Sequence, residues 1–398
     1  MPHVRPIIRK HIDEMLENGI IEHSTSPWAA AVVLVPKKNN ELRICLDYRL
    51  LNKVTKPNAY GLPRIGDALA SLSGNNFFTA LDCCAGYWQI PLRTEEDRQK
   101  AAFRTFCGHY QPTRLPFGLV NGPAHFQSFM DLALAGLNYK CTLAYVDDVL
   151  IFSPTYEQHL VDLDSVFDAL RKVNIHLKAS KCTMASPEVT YLGHIVGSHG
   201  VKPCPNKIAA VKDFAPTTKK ELHSFIGLAG YYRKFIPQFA KISRPITRLI
   251  AEKAPLKELP DDVLRAVSTL KEKLCSSPVL AHPDFTKPFE IHTDASPFAI
   301  GAVLSQRHAG QDHPVMYISR TLKSSEVNYH QYELEVLSLI WAIGVFRPYL
   351  VGRPFRAVTD CKALLQVLTR KQGSRVIRWT LNLQEFDTTS LGMRSLSD

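Results

Sequence analysis

The sequence reads as an α+β chain of more than one domain, on three observations. Short apolar runs of strand length end in aspartates, before Asp82 and on both sides of Asp147-Asp148. Between them lie stretches with apolar residues at helical spacing. A mostly helical, proline-punctuated stretch, 200–285, then separates this first mixed pattern from a second α/β pattern that starts after Pro288. Boundaries near 196 and 286 divide the chain into segments 1–196, 197–285 and 286–398.

The elements follow in order. Residues 6–18 predict an amphipathic helix, with Ile8, Ile12, Met15 and Leu16 on one face and Gly19 as its stop. Residues 30–35 and 42–46 predict two strands joined by the turn at Pro36-Lys37-Lys38-Asn39-Asn40. Residues 77–81 predict a strand that ends in Asp82. Pro123 stands where a helix begins, and Phe126, Phe129, Met130 and Ala133 give that helix an apolar face. Residues 143–146 and 149–152 predict a hairpin carrying Asp147-Asp148. Leu163, Val166, Phe167 and Leu170 predict a long helix, with Thr155 and Gln158 as its capping box. Residues 189–196 read as one β element. Beyond Pro288, residues 289–293 predict a strand ending in Asp294, and 331–346 a helix. Residues 355–359 predict a strand ending in Asp360, and 362–368 a helix.

Composition narrows the function classes. The chain has 398 residues, 45% hydrophobic and 21% charged, as in an ordinary soluble globular protein. Its net charge of +11 favours a polyanionic partner, and the charge is dispersed in pairs such as Arg9-Lys10, Arg171-Lys172 and Lys219-Lys220. A folded basic groove is therefore expected, not a basic tail. Nine cysteines form no Cys-x-x-Cys pair and no zinc spacing, which points to reduced thiols in an intracellular compartment. No apolar run is long enough for a membrane span, and no signal-peptide pattern opens the chain, so no membrane partner is expected.

Two carboxylate constellations carry chemistry. Two adjacent like charges between apolar strands resist desolvation unless something compensates them. Asp is also a common turn residue, so Asp147-Asp148 alone reads far more readily as a hairpin turn than as a catalytic pair. Asp82, at the end of another strand, changes that balance. Three carboxylates on rigid strands are hard oxygen ligands for two divalent ions, which suit in-line transfer of a nucleotidyl group. Lys37, Lys38 and Arg43, on and just after a turn between strands, offer charge-assisted contacts for a triphosphate. In the second constellation Asp294 and Asp360 end strands. Glu335 shares a helix face with Tyr332, Leu339 and Ala342, where a carboxylate needs a partner.

The ordered blocks resemble a known family. They are Asp47-Tyr48-Arg49 with Asn52-Lys53, Leu81-Asp82 with Gly86-Tyr87-Trp88-Gln89, and Pro116-Phe117-Gly118-Leu119 with Gly122-Pro123-Ala124 and Phe126-Gln127. Tyr145-Val146-Asp147-Asp148, Tyr191-Leu192-Gly193-His194, Phe225-Ile226-Gly227-Leu228 and Tyr231-Tyr232-Arg233-Lys234-Phe235-Ile236 follow. Together they resemble the reverse transcriptase of gypsy-type long-terminal-repeat retrotransposons, a pol polyprotein fragment, over nearly the whole chain. His292-Thr293-Asp294-Ala295-Ser296, Glu335 and Thr359-Asp360 resemble the ribonuclease H domain of the same elements.

The resemblance implies a right-hand polymerase: fingers and palm with an antiparallel sheet in 1–196, and a helical thumb or connection in 197–285. A partial ribonuclease H-like α/β domain would follow in 286–398, truncated at its C-terminus because the expected fourth carboxylate is not found. It implies an RNA-directed DNA polymerase adding dNTPs to a DNA primer on an RNA or DNA template, with an RNA–DNA hybrid endonuclease. Asp82, Asp147 and Asp148 would hold two Mg²⁺ ions, with Mn²⁺ as a substitute, and Asp294, Glu335 and Asp360 would hold the nuclease pair. Lys37, Lys38, Arg43, Tyr87, Phe117, Gly118 and Gln127 would line the dNTP site, with Tyr87 a steric gate against a ribose 2′-hydroxyl. Leu192, Gly193 and His194 would form the primer grip. Protease and integrase segments are expected elsewhere on the polyprotein, and the setting would be a cytoplasmic virus-like particle, or the nucleus. Gly61, Cys83-Cys84, Gly122 and His125 depart from the family pattern. They keep open a second reading, a decayed element acting at most as a nucleic-acid-binding protein. A third reading keeps only the nuclease.

Overall fold

The computed structural model describes residues 4–36, 42–252, 258–358 and 391–394. The chain forms two compact units, one of residues 1–68 and 75–191, the other of residues 69–74 and 192–398.

The first unit opens with helix α1 (Arg5–Glu17) and strand β1 (Ile21–His23), then the hairpin β2 (Ala31–Pro36) and β3 (Leu42–Asp47). Helices α2 (Arg49–Val54) and α3 (Ile65–Ala70) lead to β4 (Phe77–Asp82). Helix α4 (Glu95–Lys100) precedes β5 (Phe103–Thr105) and β6 (Gly108–Pro112), which continue the β1 sheet in the order β1-β6-β5. Helix α5 (Gly122–Ala133), β7 (Thr142–Tyr145), β8 (Asp148–Ser153), α6 (Tyr156–Lys172), β9 (Thr183–Ser186) and β10 (Glu188–Tyr191) complete the unit.

The sheet ordered β7-β8-β4-β9 is its centre. Strand β8 lies between two neighbours, and Val149, Leu150, Ile151 and Phe152 are all buried, which explains a continuous apolar run instead of an alternating one. Helices α5 and α6 cover one face. Phe126, Met130 and Leu134 from α5 and its C-cap, and Leu163, Val166 and Leu170 from α6, pack with Leu81, Val149 and Ile151. Each such side chain contributes about 1.5–3 kcal/mol by leaving water. Pro123 lies in the first turn of α5, where a missing N–H costs nothing. Thr155 caps α6 by accepting from the Gln158 backbone at 3.2 Å. The Gln158 side chain donates to Asp162 instead, so the cap is one-sided and not the expected reciprocal box.

The second unit begins with the hairpin β11 (His194–Gly197) and β12 (Gly200–Pro203). Four helices follow: α7 (Pro205–Asp213), α8 (Lys219–Tyr231), α9 (Phe239–Ala251) and α10 (Asp261–Cys275). Thr218 and Glu221 form a full capping box on α8. Then come β13 (Phe289–Ala295), β14 (Ala299–His308), β15 (Gln311–Thr321), α11 (Gln331–Leu350), β16 (Phe355–Val358) and β17 (Leu391–Arg394). The sheet order is β15-β14-β13-β16-β17, with β13 to β15 antiparallel and β16 and β17 parallel to β13. Phe289, Ile291 and Leu304 from the sheet pack against Val336, Leu339, Ile343 and Phe346 of α11.

Two features differ from the sequence reading. Residues 189–196 are not one β element, because Leu192 and Gly193 have φ of +46° and +71° and break it in two. Residues 299–321, for which the sequence pattern predicts no strand, form the long β14–β15 hairpin. Its two-residue tip, Ala309-Gly310, has positive φ at both positions, as the right-handed strand twist requires.

Candidate functional site

The antiparallel register of β4 and β8 places Asp82 directly opposite Asp148. Tyr145 of β7 also pairs with Asp148, so Val146 and Asp147 form a two-residue tip. The three aspartates thus meet at one end of the β7-β8-β4-β9 sheet because two buried strands are held in a single register. A slip by one residue would turn the apolar set outward. The tip is strained: Val146 is β-branched, buried, and has φ of +54°. Its N–H donates to Gln127 Oε1 at 2.8 Å, and the Asp147 carbonyl accepts from Cys83 N at 3.3 Å.

Among the described residues the local charge is unbalanced. Burial, and then Asp147 and Asp82, raise the Asp148 carboxyl to about 6 against the opposing pull of Lys181. Asp148 still reaches solvent on one side. Burial first, and then the same three aspartates, push the Cys83 thiol up to about 12. Lys181 donates to Asp82 at 3.2 and 3.0 Å, and that bond raises its own pKa. Backbone geometry puts it there: Lys178 N donates to the Asp82 carbonyl at 2.9 Å, one short turn earlier. One ammonium does not balance three carboxylates. A site that raises a carboxyl by crowding it with others is one that divalent cations fit. Lys181 was not singled out from sequence. It is 99 residues from Asp82, and nothing local marks it.

The other expected polymerase residues divide into groups. Lys37 and Lys38 lie outside the described residues, and Arg43 is placed only by its backbone, opposite Val35. Tyr87 stands edge-on to Phe117 and Phe126, with centroids 4.9 and 5.5 Å away. Burial, and then Asp147, raise its phenol pKa. Gly118 has φ of +100°, and its carbonyl accepts from Asn52 Nδ2 at 2.8 Å. Asn52 Oδ1 accepts from Val120 N, so the Phe117-Gly118 loop is pinned from both sides. A cleft of about 660 Å³ opens beside it, lined among others by Trp28, Asn52, Ile90, Asn121 and Gly122. A larger cleft of 930 Å³, between α1 and β2, is lined mainly by apolar residues and by none of the three aspartates. Gln127 is fully buried, and both its amide hydrogens are committed, to Ala144 O and Asp131 Oδ1, each at 3.0 Å.

In the second unit, Leu192 and Gly193 form a turn held by tyrosines. Tyr231 and Tyr232 hydroxyls donate to the Leu192 and Gly193 carbonyls at 2.6 and 2.7 Å. His194 is buried, bonds the Leu192 carbonyl through Nδ1, and is held near a pKa of about 4 by burial and then by Lys234. Asp294 accepts from Gln238 Nε2 at 2.7 Å. Glu335 is buried and accepts from Gln331 at 3.0 Å. Ser338, one turn further along α11, bonds the Gly301 and Asp294 carbonyls and ties this helix to β13 and β14. Asp360 and the expected helix 362–368 lie outside the described residues. Sequence reasoning also missed Glu290, His292 and Asp312, whose ligand atoms all lie within 4.8 Å of one another and could hold a cation. No described helix is long and apolar enough to cross a membrane.

Comparison with known proteins places these features in a family. Residues 35–196 match the family described as "Reverse transcriptase (RNA-dependent DNA polymerase)", and residues 260–357 match "RNase H-like domain found in reverse transcriptase". The Pol polyprotein from transposon 297 of Drosophila melanogaster is 39% identical over 386 residues, covering 95% of this chain and 36% of the relative. The Tf2-3 polyprotein of Schizosaccharomyces pombe is 35% identical over 383 residues, covering 94% and 29%. The chain therefore spans about a third of the length of the curated relatives it matches. The fold is that of a foamy viral protease-reverse transcriptase solved with double-stranded DNA, at a TM-score of 0.87 and 23% identity over 99% of this chain and 70% of that one. A foamy viral protease-reverse transcriptase bound to an RNA/DNA hybrid matches at 0.80 and 24%, over 99% of this chain and 53% of that one. The chain carries a reverse transcriptase domain followed by an RNase H-like domain, and the relatives it resembles are Pol polyproteins of retrotransposons.

Proposed function

We propose that this chain is an RNA-directed DNA polymerase that extends a DNA primer with dNTPs on an RNA or DNA template. One observation carries the proposal: Asp82 and Asp148 are cross-strand partners at a hairpin tip that also carries Asp147, with more negative charge than Lys181 offsets. Asp82, Asp147 and Asp148 would hold two Mg²⁺ ions. Bound there, the ions supply activation of the primer hydroxyl and charge stabilisation on the leaving phosphate oxygens. Lys181 holds Asp82 in place and brings a proton-bearing ammonium to the same end of the sheet. Tyr87, fixed edge-on by Phe117 and Phe126, presents the ring that rejects a 2′-hydroxyl. Lys37, Lys38 and Arg43 would meet the triphosphate, and Phe117 and Gly118 would line the nucleotide. Leu192, Gly193 and His194 would carry the primer strand on a turn made rigid by Tyr231 and Tyr232. Segment 197–285 would be the thumb or connection. Segment 286–398 would cut the RNA of a hybrid through Asp294, Glu335 and Asp360.

The test is primer extension on an RNA template with Mg²⁺, comparing the parent with Asp147→Asn. Deoxynucleotide incorporation by the parent, abolished in the variant while primer–template binding persists, is expected. A folded parent that binds primer–template and incorporates nothing would favour the decayed, binding-only reading.

A further inference from the structure

We propose that Gln127 is the positioning residue of the polymerase site. It would hold the strained Val146 tip so that Asp147 and Asp148 face Asp82, without touching the nucleotide. The inference rests on the polymerase reading and deepens it. Val146 occupies a left-handed backbone conformation that a β-branched residue adopts only when its surroundings impose it. Gln127, on α5, spans the tip from beneath. Its Oε1 accepts the Val146 N–H at 2.8 Å, and its Nε2 donates to the Ala144 carbonyl at 3.0 Å. One side chain thereby ties Ala144, near the end of β7, to the residue before Asp147.

The clamp is itself oriented. Gln127 Nε2 also donates to Asp131 Oδ1 at 3.0 Å, one helical turn along α5. Asp131 Oδ1 accepts from Asn138 Nδ2 at 3.0 Å, and Asp131 Oδ2 accepts from the Tyr60 hydroxyl. Asp131 is an acceptor only, so it dictates which end of the Gln127 amide faces Val146. Residue 127 would therefore act on metal affinity and on turnover, as groups that orient metal ligands do. It would leave nucleotide affinity nearly unchanged.

The experiment uses the full chain with Gln127→Met, Gln127→Glu and the swapped pair Gln127→Glu/Asp131→Asn. Mn²⁺ binding is followed by electron paramagnetic resonance without nucleic acid, and dNTP incorporation is resolved into kcat and KM. Gln127→Met is expected to weaken Mn²⁺ binding about tenfold and lower kcat about a hundredfold. KM for dNTP should stay within about threefold of the parent's. Gln127→Glu buries a like charge beside Asp131 and should be impaired. Adding Asp131→Asn removes the like charge and offers the new carboxylate a donor. That carboxylate still accepts the Val146 N–H but cannot donate to the Ala144 carbonyl, so part of the loss, and not all of it, should be recovered. A raised KM with unchanged kcat would overturn the assignment in favour of nucleotide contact. So would unchanged Mn²⁺ binding in folded Gln127→Met, or a swapped pair no better than Gln127→Glu. If Gln127→Met does not fold, the swapped pair measured against Gln127→Glu decides. A parent that binds Mn²⁺ and incorporates no dNTP sinks the polymerase reading, while the Mn²⁺ arm still judges Gln127.

Discussion

Replacing Asp148 by Asn should stabilise the metal-free protein at neutral pH, although it removes an expected metal ligand. The folded state raises the Asp148 carboxyl from its ordinary 3.8 to about 6, through burial first and then Asp147 and Asp82. A carboxyl with a raised folded pKa destabilises the folded state once it ionises. Stability is therefore fully retained below about pH 4 and declines as pH rises toward 6. At full strength the shift corresponds to about 3 kcal/mol. Asp148 keeps a solvent-facing side, and screening leaves about 1 kcal/mol of that. Asn keeps the shape and cannot ionise. In EDTA at pH 7.5, Asp148→Asn should melt about 2–4 °C above the parent. The gap should close by pH 4 and reverse in millimolar Mg²⁺, where the parent gains more from binding. Scanning calorimetry over pH 4–8, with EDTA and with Mg²⁺, measures all three. A variant less stable than the parent in EDTA at pH 7.5, or equally stabilised at pH 4, would show that burial and the neighbouring aspartates do not disfavour the ionised Asp148.

Other outcomes follow from the same geometry. Tyr87→Ala removes the ring wedged against Phe117 and should admit ribonucleotides in competition assays; unchanged sugar selectivity would remove its gate role. Gly200→Ala should cost more than about 3 kcal/mol by urea denaturation. A Cβ there would sit 2.1 Å from the Leu280 carbonyl, at a φ of +128°, and would part the paired Val201–Leu280 hydrogen bonds. Primer–template affinity should fall steeply between 50 and 200 mM salt, as expected of a +11 chain that releases counterions from phosphates, and a flat salt response would count against a basic groove.

The strands that carry the aspartates were legible because burial on both faces leaves a strong pattern. Val149 to Phe152 are all buried, and residues 77–82 end where the apolar run ends. The β14–β15 hairpin was not legible, because its central strand buries polar residues that spoil the pattern. Gln306 is fully buried, with its amide donating to the Asp284 and Lys287 carbonyls, and Ser305 is buried too. Such residues read as loop or surface until their partners, about twenty positions away, are known. Lys181 was invisible for the same reason, since its meaning lies in a contact with Asp82 that only the fold supplies.

Gln127 and Val146 show how a site can hide from sequence rules while being built by them. Taken alone, Val146 continues a strand, and a turn rule would ask for Gly or Asn at a positive φ. Taken alone, Gln127 is a polar residue on an apolar helix face between Phe126 and Met130, and only the family resemblance implies a role for it at the nucleotide. Each breaks a local rule, and each break is explained by the other: the strained N–H needs an acceptor, and the buried amide needs partners. The cost of the strain, of the order of 1–2 kcal/mol, is offset by hydrogen bonds in a water-poor interior. What the pairing gains is a tip that cannot relax into an ordinary turn, and so a fixed direction for the carboxylate that follows it. Two local violations that satisfy each other beside the carboxylates therefore mark a functional constraint more strongly than either residue does alone.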